Sequence, residues 1–245
     1  MSESLSREDI IYYAKLSEQG QRYDDMIRYI KMLANGQEAL SNEVRNLVSV
    51  AYKNSVGSRR TALRVLSAIT TKDEEKELME VYRQKIQDEI DNIANEILGI
   101  IDEKLIPQVE DDQEALVLYS KMKGDYYRYM AEYAKGEKKI DLVEKSKIAY
   151  EQGTQQAEKL KPTNPVRLGL ALSNSIFNHE IIQDESNATL IAKVAYDSAL
   201  INLDSLEEDE YRDATIIMQY LRDQLSIWST DIGNDKQLQN EGSDL

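Results

Sequence analysis

Residues 121–129 read Lys-Met-Lys-Gly-Asp-Tyr-Tyr-Arg-Tyr. On a helix advancing about 100° per residue, Asp125, Arg128, Tyr129 and Glu132 fall within roughly one 100° sector. A guanidinium flanked by two carboxylates is held in place, and the adjacent phenol adds a further hydrogen bond. A second cationic run, Ala-Tyr-Lys-Asn-Ser-Val-Gly-Ser-Arg-Arg, occupies residues 51–60. On a helix Lys53 and Arg60 lie about 20° from eclipsed, roughly two turns apart along one face. Two Arg, one Lys and one Tyr brought to one point suit a phosphate dianion, because guanidinium forks pair with phosphate oxygens bidentately. Spacing alone leaves open whether the two helices meet. Each cation taken singly also reads as an ordinary solvated helix charge.

Outward from these runs the whole chain reads as helix. Its 245 residues include three Pro, ten Gly and 41 % hydrophobic side chains, so breakers are few and apolar material suffices for a sizeable core. Ser6 and Ser41 stand at N-cap positions, Asn35-Gly36 closes a helix, Gly136 punctuates, and Pro165 suits a first helical turn. These marks predict helices near 7–20, 23–35, 41–71, 75–106, 113–135, 138–160, 165–183, 186–203 and 208–230. Short connections make neighbours antiparallel. The expected class is all-α, about nine antiparallel helices in a single array. A tetratricopeptide array is the rival, but 34-residue self-similarity is absent and the helices are unequal. After Trp228 the composition turns to Gly, Asn, Asp, Gln and Ser, so residues 231–245 are expected to form a disordered acidic tail.

Five stretches in order resemble one family, the 14-3-3 phosphopeptide-binding proteins, over roughly residues 7–230. They are Gln-Arg-Tyr-Asp-Asp-Met at 21–26, Arg-Asn-Leu-Val-Ser-Val-Ala-Tyr-Lys-Asn at 45–54, residues 121–129, Arg-Leu-Gly-Leu-Ala-Leu at 167–172 and Ile-Met-Gln-Tyr-Leu-Arg-Asp at 217–223. The resemblance implies a cup-shaped helical domain over 1–230, dimeric through its N-terminal helices. Residues 1–106 then carry dimerisation and part of the phosphate pocket, and 107–230 the peptide groove. It implies Lys53, Arg60, Arg128 and Tyr129 as the phosphate clamp, with Asp125 and Glu132 as carboxylates that orient the cations. Leu172, Ile176 and Glu180 step along one helix face, and Ile217, Tyr220, Gln224, Ile227 and Trp228 follow another stripe. Residue pattern alone makes Leu221 and Trp228 core. The resemblance makes Leu172, Ile176, Ile217 and Ile227 the apolar side of a peptide groove that also takes in Ser173, Glu180, Tyr220, Gln224 and Trp228. It also implies a two-fold interface in which Arg22 and Asp25 face Glu89 and Lys85, with Leu16, Gly20, Val65, Leu66, Ile69 and Tyr82 as its apolar part.

The chain departs from that pattern, as a divergent member would. Ser173 and Gln224 stand where most members carry Asn, so the usual amide grip on a ligand main chain is altered. Tyr220 stands where Leu is common. Ala62 replaces a Ser that many relatives can phosphorylate, and Leu63 replaces the usual Trp.

The net charge of −15, from 45 acidic and 30 basic side chains, argues against nucleic acid as a partner, since a duplex binder needs a basic face. It suits basic segments that carry a phosphate. Cysteine is absent, which leaves no disulfide framework, thiol nucleophile or zinc–thiolate site. No signal peptide or membrane span is read, so the expected compartment is the cytoplasm, with the nucleus open. His179 is the only histidine. Neither a metal site, a cofactor fingerprint nor a catalytic constellation is legible around it. The expected function is a phosphoserine- or phosphothreonine-peptide-binding adaptor, a homodimer or a heterodimer with a paralogue, one site per protomer. A phosphate-independent scaffold or holdase is the alternative, and an enzyme is not expected.

Overall fold

The computed structural model describes residues 5–36 and 38–241, with side chains through residue 229. Its described residues form nine α-helices: α1 Arg7–Gln19, α2 Tyr23–Ala34, α3 Asn42–Ala68, α4 Lys76–Ile100, α5 Gln113–Ala131, α6 Gly136–Ala157, α7 Pro165–Phe177, α8 Glu185–Asn202 and α9 Glu208–Glu241. The all-α class follows. Two compact units divide the chain, residues 1–115 with 129–144, and residues 116–128 with 145–245.

Local chemistry sets many of the helix ends. Ser6 and Asp9 form a reciprocal capping box at α1, which satisfies donors the helix itself cannot. The Ser41 hydroxyl accepts from the Val44 amide at 3.4 Å. Asn164 accepts from the amides of Val166 and Arg167, with Pro165 at the first helical position, where a missing N–H costs nothing.

Some ends differ from the sequence reading. Regular α4 stops at Ile100 rather than 106, passing into a π-helical turn at Ile101–Leu105 and a tight turn at Ile106–Gln108. Pro107 has no N–H and disfavours α geometry at the preceding residue. Helix α7 likewise gives way at Asn178 to a π-helical turn that ends on Gln183, left-handed at φ 63°. Helix α6 begins at Gly136, whose φ of 57° favours glycine. Beyond residue 230, where the disordered tail was expected to begin, α9 continues to Glu241. The Lys-Gln-Leu-Gln run at 236–239 consists of good helix formers. Residues 242–245 of that expected tail lie outside the described residues.

In the first unit, Met26, Ile30 and Leu33 of α2, Val48, Ala51, Tyr52 and Val56 of α3, and Ile90, Ala94 and Ile97 of α4 are buried. Their steps of three and four turn one stripe of each helix inward. Glu96 ties this core at one end, accepting from the Tyr52 hydroxyl at 2.8 Å and from Lys31 Nζ at 2.6 Å. Burial, helped by that carboxylate, pushes the Tyr52 phenol well above its ordinary range. In the second unit Leu168, Ala188, Ala192, Ala199, Ala214, Met218, Leu221 and Trp228 form one cluster. The alanines of α8 bring α7 and α9 close.

Candidate functional site

The site is built on a single close approach in the second unit. A Cβ on Gly124 would lie 2.5 to 2.7 Å from three ring atoms of Tyr150, so only glycine lets the ring lie against α5. Ser146 Oγ donates to the Gly124 carbonyl at 2.9 Å and fixes α6 there. The Tyr150 hydroxyl thereby reaches Asp125 Oδ1 at 2.8 Å. Arg128 donates from Nε to the Tyr150 oxygen and from Nη2 to Asp125 Oδ1, both at 3.3 Å. Lys121 Nζ sits 2.7 Å from Asp125 Oδ2, and Ser173 Oγ donates to the same oxygen at 3.4 Å. Glu180 lies 3.7 Å from Arg128 Nη1.

Arg128 and Asp125 keep only 6 % and 8 % of their side-chain surface exposed. A buried charge is tolerable only when paired and hydrogen-bonded. Burial alone would raise the Asp125 carboxyl. Lys121 and Arg128 overcome it, and with the Lys121 and Tyr150 hydrogen bonds hold the group well below the usual carboxylate range. Asp125 is therefore an anion that fixes two cations.

In the first unit Arg60 forms a two-pronged pair with Glu132, Nε to Oε2 at 2.8 Å and Nη2 to Oε1 at 2.5 Å. Its guanidinium lies 4.1 Å above the Tyr129 ring, a cation–π contact that holds its plane. Of the two orienting carboxylates, Asp125 pairs with Arg128 and Glu132 with Arg60. Lys53, seven residues before Arg60, is exposed. The neighbouring Arg59 points elsewhere, to Asp24 at 3.0 Å and Glu89 at 2.9 Å. The Arg59 guanidinium lowers the Asp24 carboxyl, and the Asp24 hydrogen bond in turn raises Arg59.

Of the groove candidates, Leu172, Ile176 and Ile217 are half-buried against the second unit's core. Tyr220 and Ile227 are 56 % and 53 % exposed. Gln224 is half-buried and Glu180 exposed. Leu221 and Trp228 are core, and the Trp228 ring stacks on His179 at 4.8 Å. Ser173 turns its hydroxyl to Asp125 rather than leaving it open. Asn174 is occupied by the π-helical turn that follows α7, accepting from Asn178 Nδ2 at 3.0 Å.

On the first unit's other face, Leu16, Val65, Ile69 and Tyr82 are exposed, and Leu66 and Ala62 half-buried. Lys85 Nζ lies 6.0 Å above the Tyr82 ring. Arg22 and Asp25, expected to face a second protomer, pair with each other, and Glu89 accepts from Arg59 within the chain. Sequence reasoning missed Leu78 and Val81, 72 % and 66 % exposed on α4. It also left Gly124, Lys121 and Tyr150 out of the site. The spacing of four between Lys121 and Asp125 was the available signal.

The described residues form an all-helical protein whose α5 holds a buried guanidinium in a carboxylate–phenol frame. A family model described as "14-3-3 protein" matches residues 13–229. The chain is 46 % identical to "14-3-3 protein 9" of Solanum lycopersicum, over 99 % of this chain and 95 % of that one. It is 47 % identical to "14-3-3 protein eta" of Homo sapiens, over 92 % and 95 % respectively. It is 46 % identical to "Checkpoint signal transducer rad24" of Schizosaccharomyces pombe, over 93 % and 87 %. The chain belongs to the 14-3-3 family.

Proposed function

We propose that this protein is a phosphopeptide-binding adaptor that clamps, masks or bridges client proteins through phosphoserine or phosphothreonine, one site per protomer. Lys53, Arg60, Arg128 and Tyr129 take the phosphate, and Leu172, Ile176, Ile217 and Ile227 the apolar side of the client segment. The observation that carries the reading is the frame around Arg128: a guanidinium held by Asp125 and Tyr150 is aimed before ligand arrives, so little ordering is lost on binding. A phosphoserine brings close to two negative charges and three acceptor oxygens. Its charge-assisted bonds are about twice as strong as neutral ones.

Ser173 and Gln224 alter the grip on the client main chain rather than the phosphate chemistry. One neutral hydrogen bond is worth about 0.5–1.5 kcal/mol, so binding persists. Dimerisation runs through Leu16, Leu66, Ile69 and Tyr82 with the charged Arg22, Asp25, Lys85 and Glu89, with itself or with a paralogue. Two linked sites then gain affinity by effective concentration. Ala62 removes a phosphorylatable hydroxyl from that face. The protein's action is stoichiometric, in the cytoplasm or nucleus.

Fluorescence polarisation of an Arg-rich serine peptide tests the reading, with phosphorylated and unphosphorylated forms against wild type and Lys53→Glu. Binding confined to the phosphorylated form and lost in the variant is expected. Equal binding of both forms, indifferent to the variant, favours the scaffold alternative.

A further inference from the structure

The first unit holds a cationic cavity, whose wall includes Arg60 and Glu132. About 780 Å³ in volume, it lies between the C-terminal half of α3, the N-terminal half of α4 and the turn before α6. That is within the ~300–1,000 Å³ range of small-ligand sites. Leu63 gives it an apolar patch. Apart from Ala134 the rest of its wall is polar, and its charges do not balance.

Three acids face the cavity, and each is already engaged by a cation of the same wall. Glu132 holds Arg60 at 2.5 Å. Asp91 takes Lys138 at 2.6 Å and the Tyr133 hydroxyl at 2.8 Å. Glu80 stands 3.7 Å from Arg83, a loose pair whose Arg83 Nε–H makes no hydrogen bond. Arg64 and Lys135 complete the lining, both exposed, and no carboxylate among the described residues pairs with either. In a chain of net charge −15, this is a local surplus of two cations with a third guanidinium loosely held.

The cavity stays open in the proposed dimer. At about 100° per residue, Glu80, Arg83, Gln87 and Asp91 occupy one side of α4, while Tyr82, Lys85 and Glu89 occupy the opposite side. Arg60, Leu63, Arg64 and Ser67 are likewise opposed on α3 to Ala62, Leu66 and Ile69.

We infer that this cavity binds a second phosphate-bearing anion, held by Arg64, Lys135 and Arg83. Guanidinium forks and an ammonium are the donors that match phosphate oxygens, and the cavity is roomy enough for the group that carries the phosphate. Two sources share this chemistry, a second phosphoryl group on a bound client and a free polyphosphate. The client source rests on the adaptor reading given above.

Calorimetric titration of tripolyphosphate at low ionic strength tests it, in a Lys53→Glu background that weakens the clamp. Binding should persist there and weaken at least tenfold when Arg64→Glu and Lys135→Glu are added, with Arg64→Gln/Lys135→Gln intermediate and helicity unchanged. No binding in the Lys53→Glu protein, or indifference to the added changes, overturns the inference. Singly and doubly phosphorylated peptides on otherwise wild-type protein then separate the sources. A gain from the second phosphate that vanishes in Arg64→Glu/Lys135→Glu marks the client, and no gain marks the free anion. Failure of the adaptor reading shows elsewhere, as monophosphorylated-peptide binding that ignores Lys53→Glu.

Discussion

Replacing Gly124 by alanine adds one methyl group where α5 and α6 touch, and the consequences can be worked through. The new Cβ would meet three Tyr150 ring atoms at 2.5 to 2.7 Å, so the ring or the helix must move. Overpacking of this kind costs about 1–3 kcal/mol. Alanine recovers about 0.5–1 kcal/mol of helix propensity. The net loss centres on about 1–2 kcal/mol, about 2–8 °C in melting temperature for a chain of this size. Displacing the ring also breaks the Tyr150–Asp125 hydrogen bond and loosens the frame of Arg128, so phosphopeptide affinity falls with stability. Calorimetric melting at fixed protein concentration, which holds any oligomer equilibrium constant, reads the first effect. Gly99→Ala is the control, since its Cβ would meet nothing within 4 Å and should stabilise by about 0.4–1 kcal/mol. A Gly124→Ala protein as stable as Gly99→Ala, with unchanged affinity, would refute the reasoning.

Tyr150→Phe keeps the ring and removes only the hydroxyl, so it should lower stability by about 1–3 kcal/mol in chemical denaturation and weaken phosphopeptide binding without abolishing it. Asp125 sets a pH dependence: its folded-state pKa is depressed, so its stabilisation is present above the ordinary carboxylate pKa and is lost as pH falls through the folded value. Acid titration of stability should therefore fall less steeply below about pH 4 in Asp125→Asn, which is weaker than wild type at neutral pH. Tyr82→Glu, placing a charge on the exposed apolar face of α4, should shift light scattering toward monomer. Ser173→Asn with Gln224→Asn should tighten phosphopeptide binding by up to about tenfold, within the worth of one hydrogen bond; identical affinities would show that these positions do not grip the client.

Helix content and caps were legible because the signals are local. Ser6, Ser41 and Pro165 act within one turn of themselves, and each stands where its chemistry predicts. Arg60 was separable from Arg59 by its alignment with Lys53, and the two side chains indeed take different partners. What spacing could not convey is contact across helices. Tyr150 carries no mark in the sequence that ties it to Asp125, and Gly124 looks like a mere weakness in α5 until the ring against it is seen. Glu132 sits in the same sector as Arg128, and nothing in its spacing shows that it also forks with Arg60 of α3. The tail misled for the opposite reason: polar composition says little about helix when Lys, Gln and Leu are among the residues.

The most direct test of the account is a crystal structure of the protein with a phosphoserine peptide bound. It should place the phosphate oxygens within about 3 Å of Lys53, Arg60, Arg128 and the Tyr129 hydroxyl, with the Asp125–Tyr150 frame unchanged. A phosphate in solvent, or seated at Arg64 and Lys135 with the Arg128 frame untouched by ligand, would contradict it.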